Sequence, residues 1–295
     1  MDTDFEQYAN HPFFRYLDNI NEFAITAAVP PVGAPLWNDP KFISVVTEKA
    51  YDYLREVIKG SDFYYESELS LYRDASGFGV RYADDEYGFR VLFREGQILI
   101  RRAGSNFRTF HDWFTRFMSA GQGIVTKATG ILSESCERRI DVLQASFDFE
   151  FIVYDITPEG SNASVRNPEI MKTLIKTWPG TTGVVSDDLD VLNTVARADF
   201  AVHRWADVRD MKCLERYSIS APANNRWNSL WFEFQLRGES YTDPENGKRT
   251  AFNPTAFLNA YDDAYITFLR GKAILGFMNS LLAGHRFKST PSSLP

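Results

Sequence analysis

Residues 143 to 156 read as a strand whose middle alternates between apolar and polar. Phe147, Phe149, Phe151 and Val153 take one parity, and Ser146, Asp148 and Glu150 take the other. A period of two belongs to a strand with one buried and one polar face. The same reading places strands near 22–29, 63–73, 78–82, 87–94, 97–102, 123–132, 198–205, 211–220 and 227–236. Glu95-Gly96 reads as a two-residue hairpin turn between two of them.

These strands need helices to cover their apolar face. Residues 41–58 carry Phe42, Val45, Val46, Ala50, Tyr53, Leu54 and Ile58 at helical spacing, closed by Gly60. A second helix is predicted over 107–120, with Phe110, Phe114, Phe117 and Met118. The longest is predicted from Asn253, a good N-cap followed by Pro254 at the first helical position, to Gly284. Phe257, Tyr261, Ala264, Phe268, Gly271, Leu275, Met278 and Leu282 form its apolar stripe, with His285, Arg286 and Lys288 at its negative end. Shorter helices are predicted over 169–177 and 186–193. Both halves then run strand, helix, several antiparallel strands, helix. The expected fold is α+β in two related units, 1–122 and 123–288, each an antiparallel sheet packed against a long helix, with 289–295 as a flexible tail.

Three stretches carry a resemblance to a known family: 23–32, where a strand runs into Pro30-Pro31-Val32; 89–100 with the aromatic helix after it; and 257–268, with Tyr261-Asp262-Asp263-Ala264-Tyr265. In these the chain resembles a sporadically distributed, uncharacterised family of bacterial proteins. The resemblance implies a duplicated α+β architecture and a bacterial setting. It also hints at mobile or defence-associated operons. It brings no activity and no catalytic residues.

The net charge of −7 opposes general binding to nucleic acid or anionic membranes, and two cysteines, Cys136 and Cys213, make no disulfide framework. The acidic start lacks the order of a signal peptide, and no run approaches the length of a membrane helix. A cytoplasmic, non-membrane protein is expected. The four histidines show no metal spacing, and no phosphate loop, dinucleotide turn or nucleophile elbow is present. Asp84-Asp85-Glu86 and Asp187-Asp188-Leu189-Asp190 are acidic runs; the second suits a helix N-terminus better than a metal. Residues 243–247 read as a plain turn. In His111-Asp112-Trp113 and His203-Arg204-Trp205 adjacent residues do not face one another, so ordinary packing is expected. No cofactor, metal or catalytic residue is assigned.

The sheet faces are more informative. A two-residue turn at 95–96 sets Arg94 against Gln97, Leu92 against Leu99 and Arg90 against Arg101; a four-residue loop at 83–86 sets Gly79 against Arg90 and Arg81 against Gly88. One face then carries Phe78, Val80, Tyr82, Tyr87, Phe89, Val91, Phe93, Ile98 and Ile100. The other carries Arg81, Arg90, Arg94 and Arg101, with Leu92 and Leu99 between them. Opposed arginines repel, so an anionic group is expected nearby. It is either internal, from Glu66 and Glu68, or an acidic ligand or partner. In the second half Asp148, Glu150, Trp227, Trp231 and Glu233 point away from the core. The arginine face is expected to meet this acidic, aromatic face, within one chain or across a dimer.

The leading functional reading is a non-enzymatic binding or assembly protein of a bacterial cytoplasmic system. Arg81, Arg90, Arg94, Arg101, Trp227 and Trp231 are its interface residues, and a protein partner or self-association its mode. A small-molecule or nucleotide sensor with an aromatic pocket stands second. An enzyme whose site is assembled from distant residues stands third. Nucleic acid is the least favoured partner.

Overall fold

The computed structural model describes residues 19–60, 68–83, 88–161, 197–222, 229–270 and 285–288. Among the described residues, nine strands follow one another across a single antiparallel sheet. In chain order they are β1 (Asn19–Ala28), β2 (Glu68–Asp74), β3 (Gly77–Ala83), β4 (Phe89–Arg94), β5 (Gln97–Asn106), β6 (Gln144–Pro158), β7 (Arg197–Val208), β8 (Met211–Pro222) and β9 (Leu230–Gly238). Their spatial order is β2-β3-β4-β5-β1-β6-β9-β8-β7. A two-stranded ribbon, β10 (Tyr241–Thr242) with β11 (Arg249–Thr250), stands apart. A tenth sheet strand, β12 (His285–Lys288), pairs with the far end of β6.

The fold is mixed α+β. β1 and β6 are the central pair, antiparallel from Glu22 opposite Glu150 to Ala28 opposite Gln144. On one side the meander β2–β5 returns its last strand to β1; on the other the meander β7–β9 returns its last strand to β6.

The helices are α1 (Ala34–Trp37), α2 (Pro40–Lys59), α3 (Phe107–Ser135), α4 (Pro254–Leu258) and α5 (Tyr261–Arg270). α2 lies over β2 and β3 and against α3; α3 crosses β5 and β1; α4 and α5 lie over β6. Between helices and sheet runs one continuous aromatic core. Phe23 of β1 meets Phe110, Trp113 and Phe114 of α3 edge-on, and Phe149 of β6 stacks on Phe268 of α5 at 4.3 Å. Each buried ring contributes roughly 1.5–3 kcal/mol. A one-residue slip would turn this whole set to water, so burial fixes the register.

Several expectations are corrected. Residues 123–132 are helical, not a strand: α3 continues through them to Ser135. Ile124, Val125, Ala128, Ile131 and Leu132 are buried at spacings of one, three, three and one, which is helical; their branched side chains had suggested a strand. The Asn253 cap forms, with its side chain accepting from the Ala256 N–H at 3.1 Å. The helix it starts is nevertheless interrupted at Asn259–Ala260 before α5 begins. His285, Arg286 and Lys288 belong to strand β12, not to a helix end. The helices expected over 169–177 and 186–193, the start of the chain up to residue 18 and the tail lie outside the described residues.

Candidate functional site

Every helix in the described residues that packs on the sheet does so on the face of Phe23, Phe93 and Phe149. The opposite face carries the charges. Across it the register aligns side chains in rows, with neighbouring strands about 4.8 Å apart. One row reads Arg81, Arg90, Arg101, Ala24, Asp148, Gln235, Arg216 and His203 from β3 to β7. The next reads Ala103, Glu22, Glu150, Glu233 and Ser218 from β5 to β8.

The β4–β5 register is as the hairpin turn requires, with Gly96 at φ +75° and Arg90 opposite Arg101. The β3–β4 register differs by two residues from that of a four-residue loop. Arg81 lies opposite Arg90, not Gly88, and Gly79 lies opposite Leu92. Tyr82 already pairs with Phe89, so six residues connect the strands. The shift keeps each residue on its expected face and aligns three arginines instead of two. Gly79 permits this approach: a Cβ there would lie 1.9 Å from the Val91 carbonyl oxygen.

Arg81, Arg90 and Arg101 line an open hollow of about 500 Å³ together with Ala103 and Gly104. Their Cα atoms span about 10 Å. Arg101 forms an ion pair with Glu22. The Arg90 guanidinium lies 5.2 Å from the ring centre of Tyr72. Arg81 is exposed and makes no hydrogen bond or ion pair among the described residues. Ala24, which continues the row, forms a small buried apolar cluster with Leu92 and Leu99, flanked by Tyr72.

Arg94 is on the same face but beyond that leucine row, opposite Gln97, and donates to the Ser76 hydroxyl at 3.3 Å. It does not join the hollow. Trp231 is on this face too and is 38% exposed, with its ring N–H donating to Ser229 at 3.0 Å. It lies three strands from Arg101, about 20 Å away, so it lines a different part of the surface. Trp227 and Glu66 lie outside the described residues, as do the acidic runs at 84–86 and 187–190. Glu68 takes the register position opposite Ala83.

The arginine and acidic residues lie side by side on one surface of one sheet, not on two faces that meet. Glu233 accepts from Arg216 at 2.7 Å and from Ser218 at 2.9 Å. Asp148 accepts from Gln235 at 2.5 Å, Ser146 at 2.8 Å and Thr26 at 3.1 Å. Burial outweighs those donors and raises its carboxyl above the usual range. Glu150 stands between Glu22 and Glu233 with no ion pair among the described residues. Burial first, then the Glu22 and Glu233 charges, push it up to about 7 against the opposing pull of Arg101. Glu22 was not singled out from the sequence. Only the long-range pairing of β1 with β6 brings it into this row.

His111 and Trp113 are core residues, and His111 Nδ1 lies 3.0 Å from the Tyr265 hydroxyl. His203 is exposed on the outer face, while Arg204 turns to the core side and pairs with buried Glu215 at 2.5 Å. Residues 243–247 form a turn held by the Asp243 side chain and carbonyl. No metal-competent cluster of His, Cys, Asp or Glu occurs among the described residues, and no described helix is long and apolar enough to cross a membrane. No family model and no curated protein matches the chain.

Proposed function

We propose that the protein is a non-enzymatic binding or assembly protein whose helix-free sheet face receives an anionic group of a partner. One observation carries this. Three arginines stand in direct cross-strand register around an open hollow, and a single carboxylate, Glu22, pairs with them among the described residues. Directly opposed like charges are unfavourable by a few tenths of a kcal/mol or more per pair. A row that folding alone disfavours is expected where an external anion compensates it. Guanidinium forks hold phosphate and carboxylate bidentately, which suits the three to this task.

The exposed aromatics extend the surface. Trp205 is 42% exposed and meets Tyr241 edge-on at 4.7 Å, and Trp231 lies near the glutamate row. Such residues dominate protein interfaces. The two meanders, each returning its last strand to one of the central pair, support a duplicated unit as the origin of the fold. From the family resemblance we carry over a bacterial setting, and from the composition a cytoplasmic one.

A second reading, a small-molecule sensor, draws on the size of the hollow, which is within the range of ligand sites. Native mass spectrometry of the protein purified with its neighbouring genes expressed separates the readings. A stoichiometric protein complex supports assembly. A chain carrying a few hundred extra daltons moves the conclusion to the sensor. A bare chain counts against both.

A further inference from the structure

We propose that the arginine and glutamate rows form one proton-linked site for a doubly charged phosphate: the anion draws Arg101 from Glu22, and Glu150 takes up a proton as it binds. This rests on the reading of the arginine hollow as the anion-binding surface.

The charge count favours a dianion. Arg101 is neutralised by Glu22, whereas Arg81 and Arg90 have no carboxylate partner among the described residues. Two uncompensated guanidinium groups match a phosphate dianion better than a single carboxylate. An anion seated between Arg81 and Arg90 also reaches toward Arg101, because Arg90 is directly opposite it and all three line the same hollow.

Sharing Arg101 affects the next row. Glu22 faces Glu150, which faces Glu233, so the middle carboxylate has a like charge on either side. The charged groups facing Glu150 are Glu22 from β1, Arg101 from β5, Glu233 from β9 with its partner Arg216 from β8, and Asp148 two residues along β6. Of the two outer glutamates, Glu233 keeps Arg216 whatever happens at the hollow, and Glu22 loses its partner. Among the described residues, Arg101 is the cation that lowers the proton affinity of Glu150. Drawing it toward the anion removes that effect, and the anion adds negative charge. Both changes favour the neutral carboxyl, so a proton passes from solvent to Glu150.

Sulfate is the probe, because it keeps its double charge across the range where phosphate titrates. Calorimetry at constant ionic strength measures its binding at about pH 6 and about pH 8, in two buffers of different ionisation enthalpy. If losing Arg101 raises the proton affinity of Glu150 about tenfold, sulfate binds about fivefold more tightly at the lower pH, with net proton uptake. Glu150→Gln mimics the protonated carboxyl. It is expected to bind at both pH values as the native protein does at the lower one, without proton uptake. Phosphoserine compared with inorganic phosphate then shows whether the phosphate is carried on a partner's side chain or free.

Sulfate binding that is independent of pH and exchanges no protons overturns this proposal and leaves the anion-binding surface standing. The same holds if Glu150→Gln keeps the full pH dependence. Absence of saturable sulfate binding at either pH also overturns it. The broader reading fails with it only if charge reversal at Arg81 and Arg90 leaves a partner complex intact.

Discussion

Replacing Glu150 with Gln preserves the shape of the side chain and removes its charge, and the buried glutamate row predicts how stability responds. In the folded protein Glu150 titrates at about 7, raised first by burial and then by Glu22 and Glu233. In the unfolded chain it titrates near the ordinary value of about 4.3. Between these values the native state holds a proton that the unfolded state has released. This group's contribution therefore falls as pH rises through the window, and the penalty is full above it. The gap corresponds to about 3–4 kcal/mol for a fully buried group, and the partial exposure of Glu150 reduces it to about 1–2 kcal/mol. Unfolding entropy of roughly 2 cal/mol/K per residue, over 295 residues, converts this to about 2–3 °C. Glu150→Gln should therefore melt about 2–3 °C above the native protein at pH 8, and by a clearly smaller margin at pH 5. Scanning calorimetry of the two proteins across this range is the assay. An equal or lower Tm for the variant at pH 8, or a gain at pH 5 as large as that at pH 8, would refute the reasoning.

Three further outcomes follow from the packing. Arg81→Gln removes a guanidinium opposite Arg90, so in low salt it should stabilise the fold by a few tenths of a kcal/mol, a gain that vanishes in about 1 M salt as measured by urea denaturation. Gly79→Ala places a methyl group into the Val91 carbonyl, and should cost about 2–4 kcal/mol or prevent the β3–β4 pairing, seen as a large fall in Tm. Arg204→Ala should cost about 2–3 kcal/mol and exceed Glu215→Gln, because it leaves the Glu215 carboxylate buried without its ion while the reverse change leaves Arg204 largely in water. Equal losses from those two variants would count against that account of the pair.

Local pattern made much of this surface legible. Alternation assigned Phe78, Val80, Phe89, Val91, Phe93, Ile98 and Ile100 to the buried face and the arginines to the other, and all seven apolar residues are buried. The Glu95-Gly96 turn fixed the β4–β5 register because so short a connection leaves little choice. The β3–β4 connection is longer, and its register depends on Gly79 accepting a close backbone approach, which composition does not reveal. Because this register sets an arginine on either side of Arg90, charge reversal there is expected to be tolerated by the fold. Glutamate there would lie between Arg81 and Arg101. The glutamate row was hidden for a different reason. Glu22, Glu150 and Glu233 are far apart in the chain, and only the pairing of β1 with β6 and β6 with β9 aligns them. The branched residues of 123–132 misled because burial spacing, not strand propensity, decides such a segment. The break at Asn259–Ala260 had no sequence signal beyond a single Asn within an otherwise continuous apolar stripe.

The most direct test of the arginine surface is to repeat native mass spectrometry of the co-expressed complex with Arg81→Glu and Arg90→Glu combined. Melting temperature, measured in parallel, confirms that the variant is folded. The account predicts a folded chain that has lost its partner. A folded variant that keeps its partner at the original stoichiometry would contradict it.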